Sequence, residues 1–131
     1  MIDEHEAYVK RETADLLKKA GYNWTTTQGY LLSSGLLTSG HFSNNSDYGV
    51  SAPTLEVAQR WLREIKNIEV TVEWCVVVKG VIHSYNERTY EYHIEGQKFA
   101  FGDRCGYKTY EEAKESAITE VLNILINGQD S

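Results

Sequence analysis

The chain has 131 residues and a formal net charge of −6 at pH 7, from 13 basic and 19 acidic side chains. This length predicts one domain, and the ordinary balance of apolar and charged residues excludes wholesale disorder. No apolar run is long enough to span a bilayer, the acidic first residues are unlike a signal peptide, and two cysteines are too few for a disulfide framework. We therefore expect a cytoplasmic protein with free thiols and without a metal or cofactor.

The charges are distributed so that no phosphate-binding stripe is visible. Residues 22–52 carry one charged side chain, Asp47, and residues 53–67 form the only net-positive segment, with three basic side chains against two acidic ones. A negative chain without a basic stripe disfavours non-specific binding to phosphate backbones. Nucleic acid and membrane are therefore not the expected partners.

The first predicted element is a helix over about residues 4–20. Its apolar side chains recur at spacings of three and four, which places them on one face. Lys18 and Lys19 suit the last turn of a helix, and Gly21 suits the residue that follows it. Residues 1–21 therefore form an N-terminal helical segment.

Residues 22–52 form the second segment, a long loop or small hairpin rich in Gly, Ser, Thr and Asn. Two leucine pairs flank Ser33-Ser34-Gly35 and permit a hairpin, whereas residues 41–49 have the composition of a loop. Long loops usually mark function or a linker, and aromatic residues among small polar ones make adaptable contact surfaces. The alternative is that the aromatic residues only hold the loop to the domain. The candidate protein-interaction residues are Trp24, Tyr30, Leu31, Leu36, Phe42 and Tyr48.

Residues 53–131 form the third segment and begin with a helix. Pro53 suits a first turn, Thr54 can cap it, and Asn67 ends it. Alternating residues then predict a half-buried strand, in which Trp74 belongs to the buried row together with its apolar neighbours. That row consists of Ile68, Val70, Val72, Trp74, Val76 and Val78.

Two further strands and a helix complete the segment. The first strand either turns at Lys79-Gly80 or continues through a bulge at Gly80 to a turn at residues 84–87, and we prefer the second alternative. Strands over about residues 88–95 and 97–101 follow. The last helix covers about residues 110–126, because Thr109 and Glu112 have the spacing of a capping box and Asn127-Gly128 can stop it.

This order predicts an α+β fold of two layers. Its core is α-β-β-β-α, with a three-stranded antiparallel sheet and both flanking helices on the same apolar face. The N-terminal helix and the long loop are then additions to that core.

The order of elements is also that of the double-stranded RNA-binding domain, and residues 110–117 are similar to the start of that family's second helix. Ala113, Lys114 and Ala117 match, whereas Glu111 and Glu112 stand where the family has lysines. The resemblance implies an alternative function, binding of duplex RNA, although two glutamates at that position repel phosphate. The side chains assigned to this alternative are Arg60, Arg63, Lys108 and Lys114.

Three blocks that span nearly the whole chain carry a second resemblance. These blocks are Tyr8–Tyr22, the segment Ala52-Pro-Thr-Leu-Glu-Val-Ala-Gln-Arg-Trp-Leu-Arg-Glu64, and Thr109–Ala113. They resemble small uncharacterised proteins of gut Bacteroidales and their phages or mobile elements. That resemblance implies an accessory role in a mobile element and no particular chemistry. We therefore predict a non-enzymatic module that binds a protein partner or a second copy of itself.

No catalytic motif is present: the chain lacks a Gly-rich phosphate loop, a nucleophile elbow and a paired-cysteine zinc motif. Cys105 follows Arg104 in a predicted loop and is the candidate for a third hypothesis, a reactive thiol, but no histidine is placed as its base. The acidic residues of the predicted sheet are most simply a solvated face, with a divalent-cation site as the alternative. These are Glu69, Glu73, Glu91 and Glu95, with His93 among them.

Overall fold

The computed structural model describes residues 7–80, 82, 85–96 and 99–129. Within these ranges it describes the side chains other than those of residues 77, 79, 85, 86, 99–105 and 129. The described chain contains three helices and two three-stranded antiparallel sheets, which confirms the α+β class.

An extended stretch precedes the first helix, α1, which covers Arg11–Lys19. Tyr8 forms an antiparallel bridge with Thr54, and the Val9 N–H donates to the carbonyl of Pro53 at 3.0 Å. The prediction of helix before Arg11 is therefore wrong over residues 7–10, because part of this backbone pairs with residues 53–55. Residues 1–6 of the predicted helix lie outside the described chain.

Residues 22–52 form a small sheet rather than a long loop. Its strands are β1 (Thr26–Leu31), β2 (Leu37–Phe42) and β3 (Gly49–Ser51), in the order β2-β1-β3. The sequence allows a hairpin around residues 33–35, and this hairpin joins β1 to β2. β3 pairs with the other side of β1. The predicted loop over residues 41–49 is wrong at both of its ends, because residues 41 and 42 complete β2 and residue 49 begins β3.

Helix α2 covers Leu55–Lys66 with the boundaries that its sequence predicts. The hydroxyl oxygen of Thr54 accepts a hydrogen bond from the Val57 N–H at 3.2 Å, which satisfies one free donor of the first turn. Asn67 ends the helix in the left-handed conformation, with φ of 58°.

The large sheet consists of β4 (Glu69–Lys79), β5 (Tyr85–Gly96) and β6 (Phe99–Tyr107), in that spatial order. β4 and β5 pair without a bulge from Glu69 opposite Glu95 to Lys79 opposite Tyr85. The preferred turn at residues 84–87 is therefore wrong: β4 ends at Lys79, and Gly80 follows with φ of 89°. β6 extends well past the residue 101 that the sequence predicted as its end.

Helix α3 covers Tyr110–Gln129 and packs on α1, on α2 and on the large sheet. The Thr109 hydroxyl accepts a hydrogen bond from the Glu112 N–H at 3.1 Å, which confirms the predicted cap. The helix continues past the predicted stop at Asn127-Gly128. Its buried face joins side chains from every part of the described chain in one core. Members of this core include Val9, Leu17, Tyr22, Val50, Trp61, Leu62, Val70, Ile94, Ile118 and Leu122.

Candidate interaction surface

The two halves of β4 have different environments on the same face of the sheet. Val70, in the first half, is completely buried, and Val72 is half-buried. Farther along, Trp74 is 57% exposed, Val76 52% and Val78 67%. We call Trp74, Val76 and Val78 the β4 apolar row. The sequence predicted a buried row from Ile68 to Val78, and this prediction is correct at the start of the strand and wrong for the β4 apolar row.

The exposure has a geometric cause. β4 has 11 residues and spans about 36 Å, whereas α2 has 12 residues and spans only about 18 Å. α2 is too short to cover the whole strand, and α3, which also packs on β4, leaves Trp74, Val76 and Val78 exposed. The second half of β4 and the first half of β5, which pair with each other, therefore form a ribbon that leaves the helical layer.

Neighbouring side chains of β5 hold the β4 apolar row in place. Tyr90 is opposite Trp74, and Arg88 is opposite Val76. The Arg88 guanidinium carbon lies 4.5 Å from the centre of a Trp74 ring, a distance at which a cation and an aromatic face attract one another. The Tyr90 ring meets the ring of Tyr110 on α3 edge to face, with 6.2 Å between centres. The row is therefore attached to the core through β5.

The outer face of the large sheet carries charged side chains, as the sequence predicts. Glu73, Glu91 and His93 each place one potential ligand atom within 4.8 Å of the others. His93 Nε2 lies 3.6 Å from Glu91 Oε1, which is an ion pair when the imidazole is protonated. Among the described residues this is where donors for a divalent cation come together, and the same contacts suit a solvated charged face.

The six candidate residues of the segment 22–52 do not form one surface. Phe42 is 2% exposed, and the Tyr30 hydroxyl donates to the carbonyl of Val9 at 2.7 Å. Trp24 is half-buried beside Tyr22, and the Arg60 guanidinium lies 5.3 Å from its ring. Trp24 and Tyr30 thus hold the segment to α2 and to the stretch before α1, which is the alternative that the sequence left open, whereas Phe42 packs within the small sheet against Tyr48.

The remaining candidates lie near the β1–β2 turn. Leu36 is 66% exposed and Tyr48 52% exposed, whereas Leu31 is half-buried. Leu32, whose N–H donates to the Tyr48 carbonyl at 3.0 Å, is 47% exposed. This second apolar area is on a tight turn and has no tryptophan.

The four cations assigned to RNA binding have separate environments. Lys114 is completely buried, and its Nζ lies 2.5 Å from Glu56 Oε1 and 4.4 Å from the centre of the Tyr110 ring. Arg63 Nη1 lies 3.7 Å from Glu69 Oε1. Arg60 lies against Trp24, and Lys108 is exposed. Lys114 therefore cannot contact a nucleic acid in this conformation, and the assignment of that residue was wrong.

The helix start near Lys108 is acidic on its surface. Glu111 and Glu112 are exposed, and they line a cleft of about 390 Å³ between the start of α3 and residues 7–10. A third acid in this cleft, Glu115, accepts hydrogen bonds from the Lys10 N–H at 2.8 Å and the Thr13 hydroxyl at 2.5 Å. Glu115 thus ties α1 to α3, and the two exposed glutamates repel phosphate.

Both cysteines lie on strands of the large sheet. Cys105 belongs to β6 and not to a loop, and its side chain lies outside the described part of the molecule. Cys75 is a free, partly buried thiol whose Sγ lies 3.2 Å from the Thr89 hydroxyl.

Within the described residues, every helix is too short or too polar to cross a lipid bilayer.

Comparisons with protein-family models, curated proteins and solved structures found no match to this chain. Sequence reasoning missed the β4 apolar row because alternation predicts which residues share a face, not whether that face is covered. The available signal was length, since an alternating run of this extent exceeds what the preceding helix can cover.

Proposed function

We propose that the protein is a binding module without catalytic activity of its own, and that the β4 apolar row is its contact surface for a protein partner. The observation that supports this proposal is the exposure of three consecutive side chains on one face of a strand, all more than half accessible. Scattered exposed apolar residues are ordinary, whereas adjacent ones on a regular element favour an interaction site.

The chemistry of the row suits a protein interface. Tryptophan is enriched among the side chains that dominate binding energy, and valines on a strand lose little rotamer freedom on contact. Covering three half-exposed side chains contributes about 3–4 kcal/mol from apolar burial. Duplex RNA presents mainly phosphates and sugar hydroxyls, and the three apolar side chains of the row offer no charge to pair with them.

The accessory role in a phage or mobile element belongs to the same proposal. It is supported by the resemblance of the three sequence blocks. A small module that acts by binding needs only a stable fold and one presented surface, and the core and the β4 apolar row supply these.

Site-specific photo-crosslinking in the cells that naturally produce the protein tests the proposal. A photoreactive side chain at position 76 should give crosslinked protein species, and Trp74→Ser should remove them. The matched control is position 71, on the outer face of the same strand and also exposed. Equal crosslinking at both positions, or crosslinking at 76 that is insensitive to Trp74→Ser, would contradict the proposal.

A further inference from the structure

We infer that the protein partner of the β4 apolar row is a second copy of this chain, which pairs antiparallel along β4 about a two-fold axis at Val76 and places its own row beside this one. This inference rests on the proposed function and specifies its partner. Its starting point is that, among the described strands, β4 lies at the edge of its sheet, with β5 on one side only. An edge strand presents a line of backbone donors and acceptors to any strand that can pair with it.

One hydrogen bond indicates which residues present those groups. The Gln59 side chain, from α2, donates to the Val70 carbonyl. A carbonyl reached from α2 lies on the free side of β4, and backbone groups alternate in direction along a regular strand. Because the β4–β5 register has no bulge, the groups of Val72, Trp74, Val76 and Val78 share that direction. Gln59 thus occupies the first position of the edge, and no other strand of the described chain pairs with the rest of it.

The open part of the edge is complementary to itself when two copies meet at Val76. In that register Val76 is opposite Val76, and Trp74 is opposite Val78 of the second copy. The rows of both copies then form one apolar band across the joint. On the other face, Glu73 is opposite position 79, which is a lysine in the sequence.

Alternative registers use the strand less well. A pair centred on Trp74 sets Val78 opposite Val70, whose carbonyl already accepts from Gln59. A pair centred on Val72 moves the joint toward α2 and leaves Val78 outside it. Pairing at Val76 uses residues 72–80, and it joins two three-stranded sheets into one of six strands.

The expected affinity is modest. A standard interface buries about 800 Å² per partner, and pairing one strand supplies less, so we expect a Kd on the order of micromolar. Each copy carries a net charge of −6, and the copies therefore repel one another at long range. Salt screens this repulsion, and the dimer should become tighter as salt is added.

Sedimentation velocity of the full chain tests the pairing over a concentration range of about 1–100 µM. The expected result is a monomer–dimer equilibrium that salt shifts toward dimer. Val76→Lys should abolish the dimer, because it sets two cations against each other on the axis. The matched control, Thr71→Lys, adds the same charge to the outer face and should keep the dimer. Circular dichroism of both variants verifies that they are folded.

A disulfide measures the register directly. With both native cysteines replaced by serine, Val76→Cys should crosslink to its own copy under oxidation, since paired Cα atoms about 5.5 Å apart permit a disulfide. Val72→Cys has no cysteine opposite it and should remain reduced.

Equal oxidation of the two variants, or a wild-type chain that stays monomeric throughout, would overturn the inference. Photo-crosslinks from position 76 to a different protein, with a monomeric purified chain, would overturn the self-pairing and leave the proposed function standing.

Discussion

The small and the large sheet both carry aromatic side chains but use them differently. In the small sheet Phe42 is enclosed and Tyr30 is hydrogen-bonded to Val9, so its aromatic residues contribute to the core. In the large sheet Trp74 is 57% exposed, although its alternating pattern is that of a buried strand. Residue composition and alternation alone therefore predict the wrong environment for the aromatic residues of both sheets. The deciding factor is whether a helix lies over the strand face.

The largest expected effect separates the two tryptophans of the C-terminal segment. Trp61 is completely buried, with its ring centre 5.4 Å from that of Tyr22, whereas Trp74 lies on the ribbon. Trp61→Ala should lower the free energy of unfolding by about 4 kcal/mol, because it leaves a cavity in the core. Trp74→Ala should lower it by less than about 1 kcal/mol. Urea unfolding of both variants measures the contrast, and equal losses would show that the ribbon is part of the core.

The next effect tests how tightly the small sheet is packed. A Cβ added at Gly29 would lie 2.2 Å from Cδ1 of Phe42, which no real contact allows. Gly29→Ala should therefore cost about 2 kcal/mol of unfolding free energy. In a Phe42→Ala background the same substitution should cost much less, because the obstructing ring is absent. A cost that is equal in both backgrounds would mean that the loss comes from the backbone of β1 and not from Phe42.

The buried lysine gives a third and smaller effect. Lys114 is enclosed, and Glu56, its anionic partner, is largely solvated. Glu56→Gln should destabilise the fold by about 1–2 kcal/mol, because the ammonium group then lacks its counter-charge. Lys114→Met in the same chain should recover most of the loss, since an apolar side chain of similar length needs no partner. Thermal unfolding of the single and double variants measures this, and a double variant less stable than Glu56→Gln would contradict the argument.

The parts of the fold that the sequence predicted are those set by local chemistry. The boundaries of α2 follow from Thr54 and Asn67, and the start of α3 follows from Thr109. The alternation from Ile68 onward predicted the start of β4 correctly, because a period of two needs no knowledge of distant residues. These features depend on backbone groups within a few positions of each signal.

The parts that the sequence did not predict depend on distant partners. β3 has three residues and no alternating pattern, and it exists because it pairs with β1. Residues 7–9 are extended because they meet residues 53–55. The exposure of the β4 apolar row depends on where α2 and α3 lie on the sheet, and Lys114 is buried because α3 packs beside Glu56. Each of these requires tertiary contacts that periodicity does not encode.

The smallest effect distinguishes core tyrosines from surface ones by their titration. Burial raises the pKa of Tyr22 to about 12, against a partly opposing effect of Arg60. Burial also raises the pKa of Tyr30 and, together with a hydrogen bond to Glu120, that of Tyr92. Ultraviolet absorbance of tyrosinate should therefore show these tyrosines ionising after the exposed ones.

The sign of the stability effect follows from those shifts. Below pH 10 both folded and unfolded tyrosines keep their protons, and stability is unaffected. Between pH 10 and about 12, Tyr22 loses its proton only when the chain unfolds. The unfolded state then binds fewer protons, so Tyr22 makes the free energy of unfolding fall by about 1.4 kcal/mol per pH unit.

Tyr22→Phe should remove that contribution and one late-titrating group. It should cost little at neutral pH, because no hydrogen-bond partner for the buried Tyr22 hydroxyl lies among the described residues. An unchanged alkaline slope in this variant would mean that Tyr22 ionises in the folded state as a surface tyrosine does.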